Sequence, residues 1–164
     1  MCFAYFIHRV NSYQSAVIDY PDTVAKKLQE TCPFDLAAAG YDVRPYIYDM
    51  PLVMAAADLV LCRAGASTLA ELTYLGKPAI LVPSPNVTNN HQERNARVLE
   101  QAGGAKVLLE PEFDAGTLLE TIRALLADPA GMAQMSECMK ACGVPDATER
   151  IADMVLEMIA AYRK

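Results

Sequence analysis

The feature that most constrains this chain is the stretch 58–83, DLVLCRAGASTLAELTYLGKPAILVP. Two short apolar runs, 59–62 and 79–82, are separated by a small-residue turn at 63–67, a helical segment at 68–75 and Gly76. Short apolar runs bounded by turn residues read as strands buried on both faces, and a helix between two of them implies that the strands are parallel. The stretch therefore predicts a βαβ unit, and with it an α/β domain whose parallel sheet is flanked by helices. Its first turn then falls at the carboxyl edge of the sheet and opens a helix, where free N–H groups and the positive end of the helix dipole face outward. An anion site is expected there. Gly65 lets the backbone approach a ligand closely, Ser67 and Thr68 add hydroxyls, and Glu71 lies one turn further on, in reach of a sugar diol. A structural reading competes with this one. Thr68-x-x-Glu71 also fits a capping box, and Arg63 at a strand end fits a salt bridge as well as a ligand contact.

The remaining segments extend the alternation of strand and helix. Residues 3–10 read as a strand, 11–20 as a loop, and 21–31 as a helix opened by Pro21. His8 ends the first strand and is a weak candidate for function, since a lone histidine there more often serves the scaffold. Residues 41–48 form a short strand interrupted by Pro45, which suits an edge, and Asp49 caps a helix running to about residue 57. The polar loop 84–90 follows a strand end, where loops carry ligands, and leads into a helix that starts at His91 and ends at Gly103-Gly104. Residues 105–109 are a further strand. Asp114 caps a helix whose Leu118, Leu119, Ile122, Leu125 and Leu126 keep the 3.6-residue spacing, and two helices follow at 129–141 and 146–162. Their methionines, Met132, Met135, Met139, Met154 and Met158, read as core filler.

Composition narrows the function class. A chain of 164 residues suits one domain, and with 53% hydrophobic residues no run approaches the roughly 18 to 20 apolar residues of a membrane span. A formal charge of −6 argues against nucleic acid as a partner. The run MCFAYFIHRV lacks a basic leader and a small-residue cleavage site, so it does not read as a secretory signal. Cys2, Cys32, Cys62, Cys138 and Cys142 are odd in number and scattered, which suits reduced thiols in a cytoplasmic protein. Cys138 and Cys142 stand one helical turn apart, but two ligands alone rarely make a metal site.

Four motifs, PYIYDM at 45–50, ADLVLCRAGASTLAE at 57–71, GKPAILVP at 76–83 and NHQERNA at 90–96, together resemble the C-terminal half of the MurG family. These are bacterial UDP-N-acetylglucosamine transferases that convert lipid I to lipid II in peptidoglycan synthesis. The resemblance implies the donor-binding half of a GT-B enzyme, Rossmann-like in fold, with the active site in a cleft between two domains. Carried over by position, the backbone at Ile47 pairs with the uracil edge and Glu71 holds the ribose hydroxyls. Ala66, Ser67 and Thr68, beside Arg63 and Gly65, meet the diphosphate and sugar. His91 and Gln92 fall where the family contacts N-acetylglucosamine, although the family commonly has two glutamines and His91 departs from that pattern, and Asn95 is a further substrate-binding position. The family's opening strand and Gly-Gly-Ser loop have no counterpart before Phe3. The resemblance thus implies a domain without its first strand, and an acceptor-binding domain and base that lie outside this chain, as a fragment or a separately encoded half would have them. No cofactor or metal is expected. The implied partners are UDP-N-acetylglucosamine and a lipid-linked acceptor at the cytoplasmic membrane face. Relatives with other lipid acceptors, and a non-catalytic nucleotide-sugar-binding subunit, are the alternatives.

Overall fold

The computed structural model describes residues 4–10, 13–19, 41–44, 46–112 and 114–162. Among these, strands β1 (Ala4–Val10), β2 (Tyr13–Asp19), β3 (Tyr41–Arg44), β4 (Leu59–Cys62), β5 (Ala79–Leu81) and β6 (Ala105–Val107) form one sheet in the order β3-β2-β1-β4-β5-β6. The helices are α1 (Met50–Ala56), α2 (Ala66–Leu75), α3 (His91–Gln101), α4 (Ala115–Leu126), α5 (Pro129–Ala141) and α6 (Ala147–Tyr162). The predicted βαβ unit is β4-α2-β5, with Val60 opposite Ala79 in parallel register, and β6 extends it with Lys106 opposite Ile80. β2 and β3 are also parallel, whereas β1 runs antiparallel to both β2 and β4. All the strands except β1 therefore point the same way.

Three local expectations change. Residues 13–19, read as loop, are strand β2, with Tyr13 opposite Val10 across a two-residue connection. Gln14 and Ser15 break the apolar run, and pairing with β1 supplies what the local pattern lacks. β3 is shorter than expected, stopping at Arg44 just before Pro45, a residue with no N–H for a ladder. Asp49 does precede α1, but its carboxylate lies 3.1 Å from Arg44 and accepts no helix N–H. The helix expected at 21–31, the side chain of His8, Cys2 and Cys32 lie outside the described residues.

β4 and β5 are buried at every position, and strand alternation sends their side chains to two cores. Val60, Cys62 and Leu81 share one with Met54 of α1, Leu69 and Leu72 of α2, Ala96 and Leu99 of α3, and Met139 of α5. Leu59, Leu61, Ile80 and Val82 share the other with Leu126 of α4, with Leu118, Ile122, Leu125 and Met132 packed against it. Helices thus cover both faces of the parallel half. Cys62, Cys138 and Cys142 are free thiols.

Side chains fix how the helices end. Gly76 takes a left-handed conformation (φ +66°) after α2, and the Lys77 ammonium that follows donates to the carbonyls of Ala55 (2.5 Å) and Ala57 (3.0 Å) at the end of α1. Asp114 accepts from the Thr117 N–H at 2.8 Å as predicted, and that bond holds its carboxyl below the usual range. Asp128 caps α5 in the same way through the Gly131 N–H. Burial pushes the Glu100 carboxyl up, but the Arg97 guanidinium and the Val107 N–H outweigh it and hold the group below its ordinary value. The bond from the Val107 N–H to Glu100 fastens β6 to α3.

α6 overturns part of the methionine reading. Met139 is fully buried, but Met154 and Met158 are 61% and 71% exposed, along with Ile151, Val155 and Ile159. The apolar spacing is that of an amphipathic helix, yet that face is exposed in this chain.

The contact between α5 and the α3–β6 turn is tight enough to test. A β-carbon on Gly104 would stand 2.8 Å from Met139 Cα and 2.9 Å from its N, which are backbone atoms that cannot swing aside. Gly104→Ala is expected to destabilise the fold by about 1 to 3 kcal/mol, read as a lower midpoint in urea with an unchanged slope.

Candidate functional site

Because β4, β5 and β6 are parallel, the chain leaves all three at the same edge, through Arg63 to Gly65, Pro83 to Asn90, and Leu108 to Glu110. α2 begins at Ala66, two residues earlier than the sequence suggested, with Gly65 in the extended conformation that precedes a helix (φ −71°, ψ 143°). Thr68 is then the third helical residue and not the cap, and the cap residue, Gly65, has no side chain with which to bond the helix N–H groups. The capping-box alternative is thereby removed. The first intrahelical bond runs from Leu69 N–H to Gly65 O at 3.0 Å, so the Ala66 and Ser67 N–H groups belong to the turn that a helix cannot satisfy itself. That turn carries no acidic residue.

Gly65 is the informative position. Its φ is one that any residue adopts, and a β-carbon there would meet nothing within 4 Å among the described residues. Neither backbone strain nor packing calls for glycine. What the absent side chain does is keep open the space in front of the α2 N-terminus.

Two of the other predicted residues can be placed relative to α2. Glu71 is exposed on α2, three and four positions after Thr68 and Ser67, and so on the same side of the helix. Ile47 is only 3% exposed and its side chain shares a core with Leu69 and Leu72, which leaves its main chain as the group able to meet a ligand. Tyr46 and Tyr48 flank it, exposed, with rings edge to face at 4.8 Å.

The loop after β5 reaches α3 through two consecutive left-handed asparagines, Asn89 (φ 56°) and Asn90 (φ 51°). Asparagine tolerates this conformation better than other side chains, and the double turn sets where α3 starts. His91 Nδ1 lies 2.9 Å from the Thr88 carbonyl; a carbonyl only accepts, so Nδ1 carries the hydrogen and Nε2 of the neutral ring is left as an acceptor. Gln92 Oε1 accepts from the Ser84 N–H at 2.9 Å. Its amide nitrogen has no hydrogen-bond partner among the described residues. Asn95 is half-buried one turn further along α3.

Arg63 makes the salt bridge that its place at a strand end also suited. Its guanidinium donates to the carbonyls of Val82 (3.1 Å) and Pro83 (3.3 Å) and forms an ion pair with Glu110. It ties together the ends of β4, β5 and the segment after β6. Sequence reasoning missed Glu110, which no local pattern marks; only the fold brings it to a residue far away in the chain. Among the described residues no group of three or more His, Cys, Asp or Glu side chains is placed to hold a metal ion.

Comparison with known proteins bears on this arrangement. The glycosyltransferase family 28 C-terminal domain matches residues 17–151. The UDP-N-acetylglucosamine--N-acetylmuramyl-(pentapeptide) pyrophosphoryl-undecaprenol N-acetylglucosamine transferase of Acetivibrio thermocellus is 46% identical over 138 residues, 84% of this chain and 36% of that protein. A Bacillus cereus transferase of the same name, numbered 1, is 46% identical over 117 residues, 71% of this chain and 32% of its own length. The chain therefore spans about a third of the length of these relatives. The crystal structure of Acinetobacter baumannii MurG superposes with a TM-score of 0.72 at 26% identity, over 85% of this chain and 42% of that one.

The open space at Gly65 yields a paired expectation. Gly65→Ala should leave stability unchanged or raise it by about 0.4 to 1 kcal/mol, since the native φ suits alanine. The same change should weaken binding of inorganic pyrophosphate at the α2 N-terminus by roughly tenfold, about 1.4 kcal/mol, as the methyl fills the approach. Thermal melts and calorimetric titration check the two halves.

Proposed function

This chain belongs to the glycosyltransferase family 28 C-terminal domain family, and on that premise we propose that it is the donor-binding domain of a MurG-type transferase. In this reading it holds UDP-N-acetylglucosamine while N-acetylglucosamine passes to a lipid-linked N-acetylmuramyl-pentapeptide, turning lipid I into lipid II. The observation that carries the proposal is the α2 N-terminus: a glycine that neither backbone strain nor packing among the described residues requires, ahead of a helical turn without an acidic residue and with no cap side chain of its own. Such a turn stabilises an anion by the helix dipole and by unsatisfied N–H groups.

The chemistry follows from charge. When the acceptor hydroxyl displaces UDP at the anomeric carbon with inversion, negative charge grows on the leaving diphosphate, and N–H groups at Ala66, Ser67 and Thr68 stabilise it more than the ground state. Glu71 accepts from the ribose hydroxyls, the main chain at Ile47 meets the uracil edge, and Gln92, with His91 and Asn95, faces the sugar. Arg63 serves this site from behind, by holding the loop. Deprotonation of the acceptor belongs, in this proposal, to an acceptor domain outside these residues. No helix among the described residues is long and apolar enough to cross a membrane, which fits an enzyme working peripherally at the cytoplasmic face.

Two substitutions test the assignment. Glu71→Ala should weaken UDP binding by about 1 to 3 kcal/mol through loss of a charged acceptor, with little change in melting temperature because Glu71 caps nothing. A parent chain that is folded and yet takes up no UDP at millimolar concentration would sink the reading. Gln92→Glu keeps the Oε1 acceptor for Ser84 and replaces the amide donor with an oxygen. It should lower affinity for UDP-N-acetylglucosamine by about 1 to 3 kcal/mol while UDP, which lacks the sugar, binds as before. Equal effects on both ligands would place Gln92 outside the sugar subsite.

A further inference from the structure

Pro83 and Ser84 share one peptide unit, and both of its polar ends are held. The Pro83 carbonyl accepts from Arg63 Nη1 at 3.3 Å, and the Ser84 N–H donates to Gln92 Oε1 at 2.9 Å. A trans peptide is planar and resists twisting, so these two bonds grip opposite edges of one rigid plate. Turning the plate to lengthen one bond displaces the other. The Gln92 amide is itself planar, so fixing its Oε1 on Ser84 also fixes the direction of its Nε2 donor.

The grip has a support behind it. Arg63 Nη1 is shared with the Val82 carbonyl at 3.1 Å, and Nη2 pairs with the Glu110 carboxylate. The Arg63 side chain is 15% exposed, so its charge is largely withdrawn from water, and Glu110 supplies the counter-charge that keeps the fork in one orientation. A lysine could not reproduce this geometry, because its ammonium is a point charge without the planar fork.

From this chain of contacts we infer that Arg63, held by Glu110, is a positioning residue that aims Gln92 at the donor sugar through the Pro83–Ser84 peptide. Glu110 thereby acquires a role in sugar selection without touching the ligand. The inference rests on the donor-domain reading for what Gln92 faces, but the coupling of Glu110 to Ser84 can be measured without any ligand.

The test compares Glu110→Gln, which keeps the shape and removes the charge, and Arg63→Lys, with the parent 164-residue chain. Amide hydrogen exchange by NMR should show the Ser84 N–H exchanging about tenfold faster or more in both variants, while the interior of α3 stays protected. Affinity for UDP-N-acetylglucosamine should fall roughly five- to tenfold with UDP affinity changed by less than about twofold, and Glu110→Gln placed in a Gln92→Ala background should add no further loss. Unchanged Ser84 exchange overturns the coupling. Equal losses for both ligands, or additive losses in the double variant, overturn the positioning role in favour of a general support of the rim. If the parent binds the nucleotide sugar no more tightly than UDP, the sugar subsite assigned to Gln92 fails, and the exchange measurement still decides the coupling on its own.

Discussion

β4 and β5 are covered by helices on both faces, and a strand so enclosed can meet a ligand only where it ends. Every backbone group that loses its ladder partner there must find another partner, because a buried carbonyl without one costs more than a hydrogen bond gains. The Arg63 guanidinium answers this at Val82 and Pro83, and Gln92 answers it at Ser84. The first turn of α2 has neither a cap side chain of its own nor an acidic residue, whereas α3, which starts from the same edge and likewise has no side-chain cap bond, carries Glu93 in its first turn. The contrast between this tied rim and the uncapped, acid-free start of α2 is what the proposed binding site rests on.

Much of this was legible because it is local. β4 is apolar at all its positions, so its bounds could be read to the residue, and Asp114 and Gly103-Gly104 mark helix ends by chemistry that acts within a few residues. The α2 start was misplaced because Ala66 and Ser67 read as turn on composition, while Gly65 supplies the extended cap without any side-chain signal. The β1–β2 hairpin was missed for a related reason: neither Gln14 nor Ser15 announces a strand, and it is the neighbouring strand that makes one. Met154 and Met158 mislead in the other direction. Their spacing is that of a core-facing helix, and spacing cannot say whether a partner surface is present.

The site residues divide along the same line. Glu71, Ser67 and Thr68 follow from one helix and could be assigned as a set. Arg63 was ambiguous because its meaning depends on Glu110, and a pair so distant in sequence is visible only once β6 lies beside β5. His91 shows a milder version of the problem: its bond to the Thr88 carbonyl depends on two left-handed asparagines, a backbone state that the residue types permit but do not demand.

The reversed strand β1 has a bearing on how the domain assembles. It joins the half-sheet β3-β2-β1 to the half-sheet β4-β5-β6, and its pairing with β4 brings together residues as distant as Ala4 and Cys62. The half from β4 to β6 is contiguous in the chain, so its loops close at smaller entropic cost and its contacts are of lower order. Loop-closure entropy therefore favours closing the β1–β4 seam after the edge from β4 to β6, which comes from one uninterrupted segment. β1, the first of the described strands in sequence, is on this ground the one that waits longest for its β4 neighbour.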